Sequence, residues 1–334
     1  MFRSPAPSAT RPPHEAGHPP LIHADTAADP MRWVSGHRDT LMAAVTEHGA
    51  ALVRGLGIDE PTSVGEILLR LGVEPMAERE SFAPRRRYAD GVYSSAAWPP
   101  NQPMCMHHEL SYLHACPSLL VFACLSAPTA GGATAVADAA ATLDALPLQV
   151  RERFAREGWI LARSYGNDIG ASTSEAFGTD DRDRIAAYCR ANAIDFAWQS
   201  DGTLRTRQHR RAVLRHPLTG RHCWFNQVAF LNEWTLDPDI RDYLIDEYGS
   251  EGLPFTTMHG NGDTIAPETI TAINAAYDGH TFGRPWQTGD VLFVDNLRTA
   301  HSREAFEGPR QVVVGMGGPP YIDDAGPATE VNAR

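Results

Sequence analysis

Apolar residues recur at helical spacing in several stretches of the chain, and capping residues mark where these stretches begin and end. The predicted helices cover residues 36–49, 62–72, 142–158, 237–249 and 266–279. In the clearest of them Asp237 can cap the helix, Pro238 suits the first helical position and Gly249 suits a left-handed terminating residue. In the stretch 142–158, Pro147 marks the first turn.

Shorter apolar and β-branched runs, closed by turn residues, predict strands between these helices. They cover residues 50–57, 117–127, 210–217, 222–230, 289–296 and 310–317, with turn sequences at 216–221 and 287–290. Strands dominate the parts of the chain next to the histidine-containing sequences around residues 107 and 301. Helices fill the segments inserted between those parts. This order predicts an α+β protein, built as an antiparallel β-barrel or sandwich with helices packed on one side.

The two ends of the chain are expected to lie outside that domain. Residues 1–30 are rich in Pro, Ala and His without periodicity, which predicts a flexible N-terminal arm. One domain is expected over residues 31–318, followed by a C-terminal tail over residues 319–334. Because the chain has no apolar run of about 18 residues and its N-terminal segment lacks the apolar stretch of a secretory signal, we expect a cytoplasmic protein without a membrane partner.

The chain contains no lysine, so all 29 basic residues are arginine. This absence excludes enzymes that need a Schiff-base lysine, a pyridoxal-phosphate lysine, a Walker A lysine or the kinase strand lysine. Any anionic cosubstrate must therefore be bound by arginine, whose planar fork binds carboxylates bidentately.

Charge and cysteine content exclude further classes of partner and site. A net charge of −12 argues against nucleic acid as a partner, because phosphate recognition needs clustered positive charge. The local clusters Arg85–Arg87 and Arg210–Arg211 are interpreted as solvated surface, with a docking patch for an acidic partner as the alternative. The five cysteines include no CxxC pair and are expected to be buried thiols rather than disulfides or zinc ligands.

A metal site is indicated by the sequence MCMHHELSY, residues 104–112. If this stretch is a strand, His107 and Glu109 face one side and His108 faces the other. A second histidine would complete a 2-His-1-carboxylate triad, which binds iron(II) and leaves three coordination positions open. We propose His301 for that role, in a polar loop that follows a buried strand. Arg310 then opens another strand, where it can clamp the far end of a carboxylate cosubstrate that chelates the metal.

An isolated HxE pattern is weak evidence for a metal site, but here it belongs to a longer set of motifs. They are HHELSY at 107–112, GGATAVAD at 131–138, WFNQ at 224–227, Asp295-Asn296, His301-Ser302-Arg303 and FEGPR at 306–310. In this order and spacing the sequence resembles the taurine-catabolism dioxygenase (TauD/TfdA) family of iron(II)/2-oxoglutarate enzymes. It resembles most the branch of syringomycin-type aspartyl hydroxylases. The resemblance runs from about residue 50 to about residue 316.

The resemblance implies iron(II), 2-oxoglutarate and O2 as cofactor and cosubstrates, with His107, Glu109 and His301 as the metal ligands. It implies that Thr134 hydrogen-bonds 2-oxoglutarate and that Arg310 pairs with its distal carboxylate. Many relatives place that arginine further along, at the positions that Val314 and Gly315 occupy here. The implied fold is a double-stranded β-helix (jelly-roll, cupin-like) core with flanking helices and a helical insertion between the metal motifs.

The expected reaction is oxidation coupled to decarboxylation of 2-oxoglutarate. The leading hypothesis is β-hydroxylation, in secondary metabolism, of an amino acid or amino-acid-derived metabolite, either free or tethered to a peptidyl carrier protein. Desaturation, epoxidation or cyclisation at the same iron centre is the alternative. Glu109 argues against a halogenase, which needs a small residue there. A non-catalytic jelly-roll binding protein or a zinc hydrolase is disfavoured, because Thr134 and Arg310 together are best explained by a dicarboxylate cosubstrate.

Three further residues are candidates for substrate contact. Asn226 lies in an aromatic run and either contacts substrate or satisfies the backbone. Arg303, two residues beyond His301, either meets an anionic substrate group or pairs with Asp295. Arg207 lies in a TRQ string that is also found in the family.

Overall fold

The computed structural model describes residues 18–24, 29–166, 170–249 and 252–322. Most of the predicted arm and tail lies outside these residues. The predicted boundary at residue 30 is nevertheless wrong for Leu21–His23, which form a strand that pairs in parallel with Ala50–Arg54. On the tail side, Tyr321–Ile322 pairs with Ala115–Cys116. Both ends of the described chain are therefore attached to the sheets by backbone hydrogen bonds.

The helices of the described residues are α1 (Pro30–His48), α2 (Ser63–Arg70), α3 (Ala139–Ala145), α4 (Leu148–Glu157), α5 (Thr173–Phe177), α6 (Arg182–Ala191), α7 (Pro238–Tyr248) and α8 (Pro267–Asp278). Asp29 caps α1 and Asp237 caps α7, and in both helices proline occupies the first turn. The predicted helix 142–158 is divided into α3 and α4. Pro147 forces Leu146 into an extended conformation, which ends the first helix.

The strands are β1 (Leu21–His23), β2 (Ala50–Arg54), β3 (Arg87–Ala89), β4 (Val92–Ser94), β5 (Met104–His107), β6 (Ala115–Cys116), β7 (Leu119–Ser126), β8 (Ala130–Gly131), β9 (Val136–Asp138), β10 (Trp159–Tyr165), β11 (Asp195–Trp198), β12 (Leu204–Arg210), β13 (Val213–Arg215), β14 (His222–Trp224), β15 (Phe255–His259), β16 (Thr281–Phe282), β17 (Val291–Asp295), β18 (Thr299–Arg303), β19 (Phe306–Glu307), β20 (Gln311–Gly317) and β21 (Tyr321–Ile322). The predicted strands at 117–127, 289–296 and 310–317 correspond to β7, β17 and β20.

A seven-stranded sheet with the order β1-β2-β17-β7-β20-β4-β3 forms the base of the fold. Its central strands are buried on both faces, which explains their continuous apolar sequences. One face, with Val121 and Phe293, packs on α1 and α2. The opposite face, with Phe122 and Leu292, shares its hydrophobic core with residues of a second sheet. The protein is therefore a layered α+β structure, as the sequence predicts.

The second sheet has the order β16-β9-β18-β5 and carries the histidine motifs. His301 was predicted in a polar loop, but it lies in β18, which pairs with β9 on one side and β5 on the other. The polar sequence of this strand, TAHSR at 299–303, indicates a loop, because its buried positions hold polar residues of a site instead of apolar core residues. The sheet therefore places both histidines within one hydrogen-bonded framework.

The long segment between β9 and β17 holds α3 to α8, in keeping with the predicted helical insertion, and the predicted strands at 210–217 and 222–230 correspond to its hairpin of β13 and β14. It also contains a four-stranded sheet, β11-β12-β10-β15. In β12 the buried positions include Thr206, Gln208 and Arg210. Because polar residues occupy the inner face of this strand, the hydrophobic pattern gave no indication of it. Among the described residues, no helix is both long enough and apolar enough to cross a membrane.

Two expectations about side chains can be compared with this fold. All five cysteines are free thiols and four of them are buried, as predicted. The interpretation of Arg210 as solvated surface is wrong, because its guanidinium is buried and donates to the backbone carbonyls of Tyr112 and Asn192. Arg210 thereby joins the insertion to the loop that follows the first histidine motif.

Candidate metal and cosubstrate site

Two adjacent strands bring the predicted histidine ligands together. His107 is the last residue of β5, and it is the register partner of His301 in β18. The ring centroids of the two histidines lie 4.3 Å apart. Nδ1 of His107 lies 2.8 Å from the carbonyl oxygen of Cys105, so its Nε2 atom is the nitrogen free to face the site. In metal-binding histidines, a hydrogen bond from the ring nitrogen that does not bind the metal commonly fixes the orientation of the ring.

Glu109 reaches the same point from a turn, not from a strand. The predicted strand 104–112 ends at His107, and Leu110 adopts a left-handed conformation with φ of 54°. Asn296 holds the turn, because its side chain accepts from the Glu109 amide at 2.8 Å and donates to the Glu109 carbonyl at 2.9 Å. The strand-parity argument for His107 and Glu109 therefore gave the wrong local structure, although both side chains lie in one cluster.

His108 points away from this cluster. Its Nδ1 atom lies 2.6 Å from the carbonyl oxygen of Asn296, and its ring packs against Phe225. Its side chain is fully buried, and burial lowers its pKa to about 4. A neutral imidazole in this apolar setting is a structural group that connects the turn after β5 to the end of β17.

His107, Glu109 and His301 present one ligand atom each within 4.8 Å of one another, and all three residues are buried. Nε2 of His301 lies 3.5 Å from Oε2 of Glu109. Two imidazoles on neighbouring strands and one carboxylate from the adjoining turn are the donor set of a facial triad that binds iron(II). The residues present thus fit the metal that the sequence motifs imply.

The electrostatic setting keeps His107 and Glu109 in metal-binding form. Burial, together with the nearby charge of His301, lowers the pKa of His107 to about 3, so this imidazole is neutral. Burial by itself raises the pKa of Glu109, but the charge of Arg85 and the interactions with His301 and His107 outweigh it. The pKa of Glu109 therefore lies well below its ordinary range. An ionised carboxylate and a neutral imidazole are the protonation states that coordinate metals.

Thr134 and Arg310 adjoin this cluster. The Arg310 guanidinium donates to the carbonyl of Gly132 at 2.9 Å and to Oγ1 of Thr134 at 3.3 Å. Gly132 permits this approach, since it has φ of 72° and a Cβ there would lie 3.1 Å from Cδ of Arg310. A cavity of about 40 Å3 is lined by both residues and by the three candidate metal ligands.

Arg310 is a half-buried cation without an anionic partner among the described residues. Burial, with the repulsion of Arg303, lowers the pKa of Arg310 to about 10, so it is charged at neutral pH. Within the described ranges, no carboxylate lies within ion-pairing distance of its guanidinium. A charge partly withdrawn from water is costly unless it is paired, so the cavity is suited to a ligand that brings a carboxylate to Arg310.

The three residues predicted to contact substrate have different positions. Arg303 lines the cavity, but its guanidinium donates to the carbonyls of Trp98, Pro99 and Gln102 rather than pairing with Asp295. Asn226 is buried outside the cavity, where its side chain bonds to Ala212 and Val228 and closes the turn after β14. Arg207 is exposed on the four-stranded sheet and lines a separate groove. Of the three, only Arg303 adjoins the metal cluster.

Arg85 is a site residue that the sequence interpretation missed. Its side chain is 5% exposed, and Nη2 lies 3.2 Å from both carboxylate oxygens of Glu109. The neighbouring Arg86 and Arg87 are exposed, so the run of three arginines concealed the one that points inward. Burial tends to lower the pKa of Arg85, but the charges of Glu109 and Glu78 raise it above its ordinary range. Arg85 is therefore a permanent cation beside a candidate metal ligand.

Asn296 is a second residue of the site without a role assigned from the sequence. We expect Asn296→Ala to lower iron(II) affinity by about 10- to 100-fold, the loss typical of residues that orient a metal ligand. The reason is that the Glu109 backbone loses both hydrogen bonds that hold its turn. Anaerobic titration with iron(II) against a coloured chelator would measure the change. Asn192→Ala, on the distant helix α6, serves as the matched control and should bind iron as the wild type does.

Comparison with known proteins agrees with this geometry. The sequence matches the family described as taurine catabolism dioxygenase TauD, TfdA family over residues 14–316. It is 32% identical over 317 residues to the dapdiamide synthesis protein DdaC of Enterobacter agglomerans, covering 95% of this chain and 94% of that protein. A clavaminate synthase-like protein of Arabidopsis thaliana is 23% identical, covering 93% of each chain.

Solved structures show the same fold. PvcB, described as an Fe, alpha-ketoglutarate dependent oxygenase from an isonitrile synthetic pathway, is 17% identical with a TM-score of 0.51, covering 97% of this chain and 98% of that one. A PvcB structure from Pseudomonas aeruginosa gives the same TM-score over 91% of each chain. With a family match that spans most of its length, the chain belongs to the taurine catabolism dioxygenase TauD/TfdA family and is an oxygenase that depends on iron(II) and 2-oxoglutarate.

Proposed function

We propose that this enzyme hydroxylates an amino acid or an amino-acid-derived metabolite, with His107, Glu109 and His301 as the iron(II) ligands and Thr134 and Arg310 as the 2-oxoglutarate site. The observation that carries this proposal is the convergence of three buried ligand residues beside an arginine that has no carboxylate partner in the described part of the chain. The similarity to a dapdiamide synthesis protein supports a substrate from amino-acid-related secondary metabolism.

We also propose that the two packed sheets are the two halves of a double-stranded β-helix. The strand order β17-β7-β20 in one sheet and β9-β18-β5 in the other supports this arrangement, because each sheet alternates strands from distant parts of the chain. A shared apolar core joins the two sheets. In this arrangement the two histidine ligands lie on the smaller sheet, Glu109 lies in the turn that follows it, and Arg310 lies just before a strand of the larger sheet.

When bound, iron(II) and 2-oxoglutarate convert O2 into an oxidant that takes hydrogen from the substrate, while 2-oxoglutarate is decarboxylated to succinate. The protein's own residues position these reactants. His107 is fixed between the carbonyl of Cys105 and the ring of Phe230, which stacks on it at 4.6 Å. Phe122 packs against His301. These apolar contacts exclude water from two sides of the cluster and keep the ligands from rotating.

Hydroxylation at the β-carbon is the proposed outcome, and desaturation, epoxidation or cyclisation is the alternative. Which one occurs depends on where the substrate carbon is held relative to the metal. Product mass distinguishes them in part, because hydroxylation and epoxidation add one oxygen, whereas desaturation and ring closure remove two hydrogens. Epoxidation is then recognised by its alkene substrate.

The metal and cosubstrate assignment predicts a spectroscopic signature. Adding iron(II) and 2-oxoglutarate to the purified protein under anaerobic conditions should produce a weak visible charge-transfer band, because a chelating 2-oxo acid and iron(II) must share one centre. Iron(II) alone, or zinc(II) with 2-oxoglutarate, should give no such band. If fully metal-loaded protein shows no band with 2-oxoglutarate, the proposed function is wrong and a zinc hydrolase or a binding protein would be favoured.

A further inference from the structure

Arg85 lines two cavities at once. One is the cavity of about 40 Å3 that contains the candidate metal ligands, Thr134 and Arg310. The other has a volume of about 350 Å3 and is bounded by residues 78–85, Tyr93 and residues 170–178. Among the described residues, no other one lines both cavities. A volume of this size is in the range of small-molecule sites, and Arg85 marks the point where it approaches the metal ligands.

The guanidinium of Arg85 is only partly satisfied. Nη2 contacts Glu109, but Nε and Nη1 are buried and lack a hydrogen-bond acceptor among the described residues. Glu78 balances the charge of Arg85 at 3.5 Å, but these N–H groups still make no hydrogen bond among the described residues. Buried N–H donors of this kind favour a ligand that brings an acceptor, such as a carboxylate. The larger cavity is where such an anion has space.

Glu78 provides the opposite charge in the same cavity. Its Oε1 atom lies 3.5 Å from Nε of Arg85 and accepts a hydrogen bond from Ser81 at 3.2 Å. The Glu78 side chain is 9% exposed. A cation and an anion therefore face one cavity next to the metal ligands. This pattern complements a zwitterion, which presents a carboxylate to Arg85 and an ammonium group to Glu78.

We propose that the primary substrate is a free amino acid, whose α-carboxylate binds Arg85 and whose α-ammonium group binds Glu78 in the larger cavity. This inference rests on the proposed function of the same site. It selects between the free and the carrier-tethered substrates, because an aminoacyl thioester has no free α-carboxylate to offer. Formal charges agree with it. Iron(II), Glu109, 2-oxoglutarate and Arg310 sum to zero, as do Arg85 and Glu78, so a zwitterion leaves the buried site neutral.

The experiment uses the holoenzyme with iron(II) and 2-oxoglutarate under anaerobic conditions. The probes are the proteinogenic amino acids, each compared with its carboxamide and its N-acetyl derivative. Binding is followed as a perturbation of the visible charge-transfer band, and the dissociation constant is obtained by titration. We expect at least one free amino acid to perturb the band, and its carboxamide and N-acetyl derivative to bind at least about 30-fold more weakly, as for loss of one partner from a buried charge pair.

Variants test the two residues separately. Arg85→Gln, measured at iron(II) and 2-oxoglutarate concentrations high enough to give the full charge-transfer band, should lose the distinction between the free amino acid and its carboxamide. Arg85→Lys should restore part of that distinction. Glu78→Gln should lose the distinction between the free amino acid and its N-acetyl derivative. Arg86→Gln, the exposed neighbour in the same run of arginines, is the matched control and should bind as the wild type does.

Several outcomes would overturn this inference while leaving the oxygenase assignment intact. They are equal binding of the carboxamide, unchanged selectivity in Arg85→Gln, or a response only to amino acids presented on a carrier protein. Failure of every free amino acid to perturb an otherwise normal band would also overturn it. Absence of the band itself, before any amino acid is added, instead contradicts the proposed function, so the two failures are distinguishable.

Discussion

His301→Ala is expected to abolish succinate formation from 2-oxoglutarate and to weaken iron(II) binding by more than about 100-fold, beyond the loss typical of a residue that only orients a ligand. The remaining His107 and Glu109 leave iron with two protein ligands, and the buried carboxylate then keeps Arg85 as its main partner. His107→Ala should behave in the same way. Iron(II) affinity is measured by anaerobic competition with a chelator, and succinate is measured by mass spectrometry.

His108→Ala is the matched control for this result, since it removes an adjacent and equally buried histidine. We expect it to retain most iron(II) binding and succinate formation, because the His108 ring contacts Asn296 and Phe225 instead of the metal cluster. Its melting temperature should fall, because a buried aromatic ring is lost. If His108→Ala lost iron while His107→Ala kept it, the ligand assignment would be reversed.

The members of the candidate metal cluster could be named from the sequence because the HxE motif, the distant histidine and the following arginine belong to a longer set of motifs that resembles a known family. The structure brings His107, Glu109 and His301 together. The local reasoning was less successful. His107 and Glu109 were placed on one face of a strand, whereas a turn with a left-handed Leu110 and two bonds to Asn296 brings Glu109 to the cluster.

Arg85 could not be found in this way, because its inward direction is set by contacts far along the chain. The segment before it is anchored at Glu80, a buried residue with φ of 53°. The Glu80 carboxylate accepts from Tyr188 and Gln208, and its carbonyl accepts from Arg163. These partners lie in the insertion, more than 80 residues away in sequence. Arg163 and Gln208 lie at buried positions of β10 and β12. Because such positions are polar, the hydrophobic pattern did not predict those strands.

The position of Arg310, the proposed cosubstrate arginine, shows how the fold can accommodate a departure from the family pattern. Many relatives carry this arginine at the positions of Val314 and Gly315. Here Gly315 faces α2, where a Cβ would lie 2.6 Å from Val64, so a larger side chain has no space. Val314 lines the cavity of the metal cluster. Arg310, just before the same strand, enters that cavity from one end and reaches Thr134.

Arg310→Gln is therefore expected to raise the KM for 2-oxoglutarate by at least about 100-fold, since a buried carboxylate would lose its charged partner at a cost of about 2–5 kcal/mol. The iron(II) affinity should change little, because Arg310 contacts Gly132 and Thr134 but none of the metal ligands. Thr134→Val should have a smaller effect, in keeping with the loss of one neutral hydrogen bond. Arg215→Gln, an exposed arginine on β13, is the control.

If Arg310→Gln raises the KM for 2-oxoglutarate but leaves the iron(II) affinity unchanged, Arg310 is the residue that binds the cosubstrate rather than a structural arginine. A structural role predicts that Arg310→Gln lowers the melting temperature and weakens iron(II) and 2-oxoglutarate binding together. A clamp predicts loss of the charge-transfer band at ordinary 2-oxoglutarate concentrations and its return when the concentration is raised. It also predicts that monocarboxylic 2-oxo acids, which lack the distal carboxylate, bind the wild type and Arg310→Gln equally. If 2-oxoglutarate retains its advantage over such acids in Arg310→Gln, another residue binds the distal carboxylate.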